Sequence, residues 1–315
     1  MTGPILTVTL NPAIDQTVIL GALHPGAVHR AHAARFDAGG KGVNVASCLA
    51  DWGAQVVATG ILGDSNDSVF RALFVSKGIL DRFVRVPGNT RTNIKLLHAG
   101  NTTDINLPGL SVTPGVLERV DRMIMTHAEA ETVVVLAGSV PDGIEDRVYR
   151  DLVATLASRG ARVVLDTSGM PLRAALAGEV DALPYCIKPN RAELETLVGH
   201  PLPTVEDVGR AARDLVGRGV RLVVVSLGKD GALFADAGHT LQASLPLVSG
   251  VSTVGAGDAM VSGIVAALIG GVALEDVARL STAFAVAKLG QKGPNLPSRG
   301  AVEASARDVC VIPRP

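Results

Sequence analysis

The stretch VVVLAGS, residues 133–139, places five apolar residues in a row before a glycine and a serine. A strand with one face in water alternates apolar and polar side chains, so a run that is apolar throughout predicts a strand covered on both faces. Strands of this kind belong to parallel sheets that carry helices on both sides. Short runs rich in β-branched residues recur along the chain and predict strands at residues 5–10, 56–60, 133–137, 162–166, 185–188 and 222–226.

Between these runs, apolar side chains recur at spacings of three to four residues, which predicts helices. These segments cover residues 42–52, 65–77, 113–127, 146–159, 205–217 and 274–288. The alternation predicts βαβ units around a mainly parallel sheet, and so an α/β fold. The chain has 315 residues, 47% of them hydrophobic, and we expect one large domain over residues 1–315.

Two segments, residues 16–36 and 82–107, interrupt this pattern. Their polar and apolar residues alternate, and they contain the turn signals HPG, PGN and AGN. We therefore expect antiparallel hairpins outside the main sheet, which form a small β-sheet lid. In this lid Lys95 is expected to be an exposed charge on a strand edge.

Charge and cysteine content exclude several classes of protein. With 29 basic and 30 acidic side chains the net charge is -1, so no broad basic field exists and nucleic acid is not expected as a partner. The three cysteines are scattered, which argues against disulfides or a zinc site and predicts a cytoplasmic protein. The chain opens without a signal-peptide pattern, and its most apolar stretch, residues 259–274, is too short to cross a membrane.

Polar residues follow several of the predicted strands directly. Parallel sheets bind their ligands in the crevice beyond the carboxyl ends of the strands, so we expect these residues to form the site. They are the polar residues of 11–15, 138–139, 188–190 and 226–228.

The stretch VSTVGAGDAMVSG, residues 251–263, leads from a glycine turn into an apolar helix. Gly255 and Gly257 let backbone N–H groups approach an anion at the positive end of the helix dipole. Two interpretations of Asp258 stay open: a carboxylate that stabilises a helix start, or a base that accepts a proton from a substrate hydroxyl. We expect the dipole to keep the pKa of Asp258 low.

The stretch DAGGKGVNVA, residues 37–46, also sets paired glycines before a helix. It matches neither the Walker loop nor the dinucleotide fingerprint, which argues against a nicotinamide-dependent dehydrogenase. Either it is a plain turn with a solvated Lys41, or its backbone approaches a polyhydroxylated ligand with Asn44 as hydrogen-bonding partner.

Two further stretches contain candidate binding residues. In TRTNIKL, residues 90–96, Arg91 and Asn93 share a strand face, where the guanidinium can hold a phosphate through two hydrogen bonds. In KPNRAELE, residues 188–195, Asn190 and Glu193 share the start of a helix. A capping box is the favoured interpretation of this pair, and the alternative is that both help to hold hydrated magnesium.

Eight motifs stand in chain order: TLNPAID, AGGKGVNVA, TRTNIKL, AGSVPDG, VVLDTSG, IKPNRAELE, VVVSLGKDGA and STVGAGDAMVSG. With them the chain resembles the ribokinase-like carbohydrate kinases of the phosphofructokinase B type over nearly its whole length. Within that family it resembles the branch that phosphorylates sugar phosphates. The resemblance implies a doubly wound, mainly parallel sheet flanked by helices, with a β-sheet lid that serves as a homodimer interface.

The resemblance also implies roles for individual residues. Asp258 matches the base, and the anion hole matches Gly255, Ala256 and Gly257. The residues that match sugar contacts are Asp15, Gly39, Gly40, Lys41, Asn44 and Asn93. Arg91 and Ser139 match the site of the existing phosphate, and Arg30 matches a basic lid residue that reaches the neighbouring subunit. The ATP and Mg²⁺ side is matched by Lys188, Asn190, Glu193, Ser226, Gly228, Gly231 and Thr253. The adenine contacts, expected near residues 283–295, match no pattern residue by residue.

The resemblance therefore implies transfer of the γ-phosphoryl group of ATP to fructose 1-phosphate, giving fructose 1,6-bisphosphate. Fructose 6-phosphate and tagatose 6-phosphate are the alternative acceptors. A sugar-phosphate sensor without useful turnover is the non-enzymatic alternative, although a sensor has no need of Asp258.

Overall fold

The computed structural model describes residues 5–246 and 255–315. A central sheet contains the strands β1 Ile5–Thr9, β4 Val56–Gly63, β5 Leu80–Asp81, β6 Val84–Val86, β9 Val133–Ala137, β10 Arg162–Asp166, β11 Cys186–Ile187, β12 Leu222–Ser226, β13 Ala232–Ala235, β14 Thr240–Ser244 and β15 Cys310–Pro313. A small sheet contains β2 Ala13–Leu20, β3 Ala33–Gly39, β7 Thr92–His98 and β8 Asn101–Asn106.

The α-helices alternate with these strands along the chain. They are α1 Lys41–Asp51, α2 Ser68–Lys77, α3 Pro114–His127, α4 Val148–Ser158, α5 Gly169–Ala175, α6 Arg191–Val198, α7 Val205–Gly217, α8 Ala256–Gly270, α9 Leu274–Lys288 and α10 Arg299–Arg307. Short 3₁₀ turns occur at Val180–Ala182 and Gly228–Asp230.

The central sheet has the order β15-β14-β13-β12-β11-β10-β9-β1-β4-β5, and β6 pairs with β4. Pairing is parallel from β12 to β5 and antiparallel from β12 to β15. The predicted α/β fold with a mainly parallel sheet is therefore confirmed. The antiparallel strands β13, β14 and β15 were not predicted from the sequence.

The run VVVLA of β9 shows why the strands are apolar throughout. Val133, Val135 and Ala137 pack into the core formed with α1, α2, α8, α9 and α10. Val134 and Leu136 pack into a second core formed with α3 to α7. Each face of the sheet is thus covered by helices, and successive side chains of one strand enter different cores.

The six predicted strands are all present, although β1 ends one residue earlier than predicted and β4 ends three residues later. Residues 185–188 shorten to β11, Cys186–Ile187, and Lys188 beyond it carries a buried charged side chain. The six predicted helices are also present, with ends that differ by at most a few residues. The long apolar stretch forms α8, which is buried along most of its length.

The small sheet joins two hairpins, β2–β3 and β7–β8, through a parallel pairing of β2 with β7. The first hairpin covers residues 13–39 and so extends beyond the predicted segment 16–36 at both ends. The second hairpin covers residues 92–106 and begins later than the predicted segment 82–107. Val84–Val86 pairs with β4 of the central sheet, where Arg85 bonds to Asp67 and Asp81. The antiparallel hairpins expected outside the main sheet are present, joined by this parallel contact.

The three cysteines are free thiols, of which Cys48 and Cys186 are buried and Cys310 is exposed. Across residues 5–246 and 255–315, no helix is both long and apolar enough to cross a membrane.

Candidate active site

The candidate site lies where the order of strands in the central sheet reverses direction. From β1 the chain adds β4 and β5 on one side, whereas β9 to β12 extend the sheet on the other side. Doubly wound sheets bind ligands at such a switch point, beyond the carboxyl ends of the strands. Asn11 follows β1 and Ser139 follows β9, and Asn11 Nδ2 donates a hydrogen bond of 3.1 Å to Ser139 Oγ.

The start of α8 brings a glycine turn and a carboxylate to this crevice. Gly255 caps the helix with φ 81°, in the left-handed region that favours glycine. Asp258 lies in the first turn, and its Oδ2 accepts a hydrogen bond of 2.7 Å from Asn44 Nδ2 of α1. Two of the predicted site residues, separated by 214 positions, are thus in direct contact.

The environment of Asp258 changes its proton affinity. Burial raises the pKa of Asp258 to about 6, and the nearby Asp166 carboxylate also raises it. The hydrogen bond from Asn44 and the charges of Lys41 and Lys188 act in the opposite direction. The expectation of a low pKa is therefore wrong, because desolvation and a like charge outweigh the groups that favour ionisation.

Asp166, at the end of β10, is a buried carboxylate shared by two lysines. Lys41 Nζ lies 3.2 Å and Lys188 Nζ 3.5 Å from Asp166 Oδ1. Lys188 Nζ also lies 3.5 Å from the position that a Cβ on Gly257 would occupy. The ion pairs therefore hold one lysine close to the first turn of α8.

The small sheet contributes the opposite wall of the crevice. Asp15 of β2 accepts hydrogen bonds from Lys95 Nζ at 2.8 Å and from Asn93 Nδ2 at 3.4 Å. A Cβ on Gly39 would lie 2.9 Å from the Asp15 carboxylate carbon, so glycine is required for this close packing. The expectation that Lys95 is an exposed edge charge is wrong, because β7 lies between β2 and β8 and the side chain is mostly buried.

Gly40 allows a close approach of the second motif to the first strand. It caps α1 with φ 110°, and a Cβ there would lie 2.9 Å from Pro12 Cα. This turn sets α1 against the end of β1, and Asn44 and Lys41 project from the first turn of that helix.

Arg91 lies at a different part of the crevice from Asp258. Its guanidinium donates to the carbonyls of Asn11 at 3.2 Å and Pro12 at 3.3 Å. Burial lowers the pKa of Arg91, although the charge of Asp15 opposes this shift. Arg91 lines a small cavity of about 10 Å³, together with residues of the β1–β2 segment.

A larger cleft of about 490 Å³ lies between the small sheet and the segment after α9. Gly255, Asn44, Asp15 and Lys95 line it, so it contains the groups around Asp258 but not Arg91. The remaining lining residues are Thr17, Ile19, Ala33, Ala34, Arg35, Asp37, Leu97, Thr102, Lys288, Leu289, Gln291, Lys292, Gly293 and Pro294. The segment 283–295, which had no residue-by-residue assignment, supplies much of this wall.

The residues predicted for ATP and Mg²⁺ lie at the ends of β11 and β12. Asn190 forms a bridge with Ser226 between these neighbouring strands. Asn190 Oδ1 accepts from Glu193 N at 2.9 Å, and Glu193 Oε2 accepts from Asn190 N at 2.8 Å, so the predicted capping box is present. Gly228 lies in the exposed turn after β12.

Gly231 and Arg30 differ from these residues in their surroundings. A Cβ on Gly231 would lie 2.0 Å from the Ala243 carbonyl oxygen, so strand packing requires this glycine. Arg30 is exposed in the connection between β2 and β3. Thr253 lies outside the described residues.

Sequence reasoning gave no role to three charged residues of the site. Asp166 ends a predicted strand, as Lys188 does, so its position was a usable signal. Lys95 shares a strand face with Asn93, which was a second signal. Lys288 resembles any lysine at the end of a helix, and only tertiary packing brings it to Gly255, at 3.2 Å between its Cε and a Cβ position on that glycine.

Fold and site together define a doubly wound α/β protein in which a glycine turn opens α8 beside the Asp258 carboxylate. The sequence pattern of the pfkB family carbohydrate kinases matches residues 8–299, and the chain belongs to this family. It is therefore a kinase, and the resemblance stated from the motifs is confirmed. Membership of this family sets the dehydrogenase alternative aside.

Relatives support this assignment over nearly the whole chain. A 1-phosphofructokinase from Xanthomonas campestris is 52% identical over 287 residues, 90% of each chain. A 1-phosphofructokinase from Rhodobacter capsulatus is 45% identical over 99% of this chain and 98% of its own. The phosphofructokinase-2 from Escherichia coli, solved in a tetrameric inhibited form, has a TM-score of 0.89 at 29% identity, covering 97% of this chain and 98% of that one.

Proposed function

We propose that this protein is a 1-phosphofructokinase, which transfers the γ-phosphoryl group of ATP to the 6-hydroxyl of fructose 1-phosphate. The products are fructose 1,6-bisphosphate and ADP. The observation that carries the proposal is the Asp258 carboxylate, held 2.7 Å from Asn44 at the start of α8. The names of the two bacterial relatives support fructose 1-phosphate over the other two acceptors.

In this reaction Asp258 acts as the general base. Its carboxylate accepts the proton of the 6-hydroxyl while the hydroxyl oxygen bonds to the γ-phosphorus and the bond to the β,γ-bridging oxygen breaks. With a pKa of about 6, Asp258 is mostly ionised at neutral pH and binds a proton more readily than an exposed aspartate. The N–H groups of Gly255, Ala256 and Gly257 are assigned to the phosphoryl oxygens.

We assign the sugar hydroxyls to Asp15, Asn44, Asn93 and the glycine pair of the second motif. Asp15 and Asn44 line the cleft, and Asn93 donates to Asp15. Gly39, Gly40 and Lys41 stand at the start of α1, next to these groups.

The 1-phosphate is assigned to Arg91 and Ser139. Asn11 connects these two residues, because its carbonyl accepts a hydrogen bond from Arg91 and its side chain donates one to Ser139. The cavity beside Arg91 has room for about one water molecule. Binding of a phosphate there therefore requires the guanidinium to leave the two carbonyls that it contacts. A charged bidentate contact offsets the loss of these two bonds.

We assign the nucleotide to the ends of β11 and β12, with Lys188, Asn190, Ser226, Gly228, Gly231 and Thr253. Magnesium keeps most of its waters and needs few protein ligands. No group of three or more His, Cys, Asp or Glu side chains capable of holding a metal occurs in 5–246 and 255–315, which fits a hydrated ion held by Asn190 and Glu193. In the capping box Glu193 uses Oε2 and keeps Oε1 for other contacts, whereas Asn190 Oδ1 accepts one hydrogen bond and keeps a second lone pair. When bound, Mg²⁺ neutralises charge on the nucleotide phosphates.

We also propose that the protein is a cytoplasmic homodimer joined through the small sheet. Phe36 and Ile105 are large apolar side chains of that sheet with 56% and 44% of their surface exposed. Arg30, exposed in the β2–β3 connection, is assigned to the site of the neighbouring subunit.

A parallel assay tests the proposed function. Purified protein with Mg-ATP is offered fructose 1-phosphate, fructose 6-phosphate or tagatose 6-phosphate, and ADP release is followed. We expect the highest kcat/KM with fructose 1-phosphate. Asp258→Asn should lower kcat by about 10²- to 10⁴-fold with little change in ATP affinity, because only the general base is lost.

Other outcomes would contradict the proposal in separate ways. A higher kcat/KM with either 6-phosphate would move the assignment to that acceptor. Calorimetric binding of fructose 1-phosphate without ADP release would identify a sensor. Near-normal turnover of Asp258→Asn would remove Asp258 from the role of base.

A further inference from the structure

Lys288 is a buried lysine that lines the large cleft. It is the last residue of α9, and only 6% of its surface is exposed. Its Nζ donates a hydrogen bond of 3.2 Å to the Gln291 carbonyl. A Cβ on Gly255 would lie 3.8 Å from this Nζ, so the ammonium group stands beside the glycine that begins α8.

Lys288 differs from the other site lysines in having no carboxylate partner. Lys41 and Lys188 share Asp166, and Lys95 pairs with Asp15. In the part of the chain that the structure describes, no carboxylate oxygen lies within 4.0 Å of Lys288 Nζ. Residues 1–4 and 247–254 contain no aspartate or glutamate that could supply one.

A buried ammonium group without a counter-charge is costly. Burial lowers the pKa of Lys288, while the more distant Asp258 is among the groups that raise it. An anion bound at the start of α8 would supply the missing charge, and this is the place assigned to the transferred phosphoryl group. The N–H groups of a helix start and an adjacent ammonium favour the same anionic ligand.

We propose that Lys288 is a further catalytic residue, whose ammonium group contacts the phosphoryl group during its transfer. This inference rests on the proposed function. Lys188 stands next to Gly257 and Lys288 next to Gly255, so the phosphoryl group is held by one lysine at each of these glycines. Negative charge spreads over the equatorial oxygens of the phosphoryl group in the transition state, and fixed cations there lower the barrier. Lys288 forms no covalent bond and transfers no proton.

A purely structural role for Lys288 is the alternative. Its bond to Gln291 could merely hold the segment after α9 in place. Lys77 offers a matched comparison, because its Nζ bonds to Asp51 at 2.7 Å and to the Pro294 carbonyl of the same segment at 3.4 Å. Lys77 is not among the residues that line the cleft.

The test compares Lys288→Met, Lys288→Arg and Lys77→Met in the full chain with fructose 1-phosphate and Mg-ATP. We expect Lys288→Met to lower kcat by about 10²- to 10³-fold, as loss of a preorganised transition-state contact does. The KM values of both substrates should change little, and Lys288→Arg should recover part of kcat. Lys77→Met should lower the melting temperature and keep kcat.

A second measurement separates transition-state contacts from folding effects. MgADP with aluminium fluoride and fructose 1-phosphate presents a mimic of the phosphoryl group in transit. Its affinity should fall in Lys288→Met about as far as kcat/KM does, while ADP alone binds as before. Trp52, the only tryptophan, packs on Phe284 of α9 at 5.0 Å between ring centroids, so its emission reports damage to that helix.

Full kcat in Lys288→Met would overturn the inference. So would an equal loss of kcat in Lys77→Met, or a loss in Lys288→Met accompanied by altered Trp52 emission and not recovered by arginine. All of these results concern variants of a wild type that phosphorylates fructose 1-phosphate. If the wild type itself fails to phosphorylate fructose 1-phosphate, the proposed function has failed instead, and the two failures are thereby distinguished.

Discussion

At the scale of single residues, the raised pKa of Asp258 predicts how activity depends on pH. The proposed base must be ionised to accept the proton, so kcat/KM should fall as pH drops through about 6. Asp166→Asn removes a like charge and frees Lys41 and Lys188, and both effects lower the pKa of Asp258. The acid limb should therefore move to lower pH by on the order of one unit.

The comparison between variants is needed because a phosphate monoester also titrates near pH 6. The titration of fructose 1-phosphate is the same for every variant, so only a shift of the limb reports on Asp258. Asp151→Asn, an exposed carboxylate on α4, serves as the control and should leave the profile unchanged. An unshifted limb in Asp166→Asn would show that the substrate or another group sets it.

The same scale shows which site residues can be predicted from a sequence. Asp258 and Asn44 stand beside glycine turns that open helices, and Lys188 directly follows a strand, so local patterns mark all three. Lys288 has no such mark, because its position depends on the packing of α9 against α8. The expectation of a low pKa for Asp258 was wrong for a similar reason, since burial and the approach of Asp166 are properties of the folded chain.

At the scale of elements, the contact between α8 and α9 depends on Gly263. A Cβ there would lie 2.6 Å from Ser281 Cα, so a methyl group forces the two helices apart. We expect Gly263→Ala to destabilise the protein by about 1–3 kcal/mol, the usual cost of overpacking a core. Denaturant unfolding should show a lower midpoint with an unchanged slope.

Gly270→Ala, in the same helix, is the matched control. Its Cβ would meet Val272 Cγ1 at 3.5 Å, which is an ordinary contact, and the residue is exposed. This variant should be as stable as the wild type or more stable by up to about 1 kcal/mol, because alanine favours the helix. If both variants change the free energy of unfolding by the same amount, the close spacing of α8 and α9 is not the reason that glycine is needed at position 263.

Elements of the sheet differ in how far their sequence predicts them. The run VVVLA of β9 is apolar because both faces are covered, and that pattern is specific to a central strand. The strands β13, β14 and β15 are short and pair antiparallel at the side of the sheet, where runs such as residues 232–235 are not distinctive by themselves. Val84–Val86 carried hairpin-like alternation, but it pairs with β4 of the central sheet, and Arg85 bonds to Asp67 and Asp81.

At the scale of the whole molecule, the small sheet has two faces with different roles. Asp15 and Lys95 line the cleft from one face. Strand register places Phe36 opposite Gln16, Gln16 opposite Ile94 and Ile94 opposite Ile105, so these side chains form a row on the other face. Phe36, Ile94 and Ile105 in this row are apolar, and a partly exposed apolar surface on a sheet is a natural contact for a second copy of the chain.

Phe36→Asp is predicted to break the proposed dimer. Sedimentation velocity should give a mass near twice 32.3 kDa for the wild type and near the single-chain value for the variant, because a charge buried at the interface is unpaired. Val75→Asp changes an 85% exposed valine of α2, which is not part of the small sheet, and should keep the wild-type mass. If Arg30 completes the neighbouring site, Phe36→Asp should also raise the KM for fructose 1-phosphate; a monomeric wild type with full activity would contradict both statements.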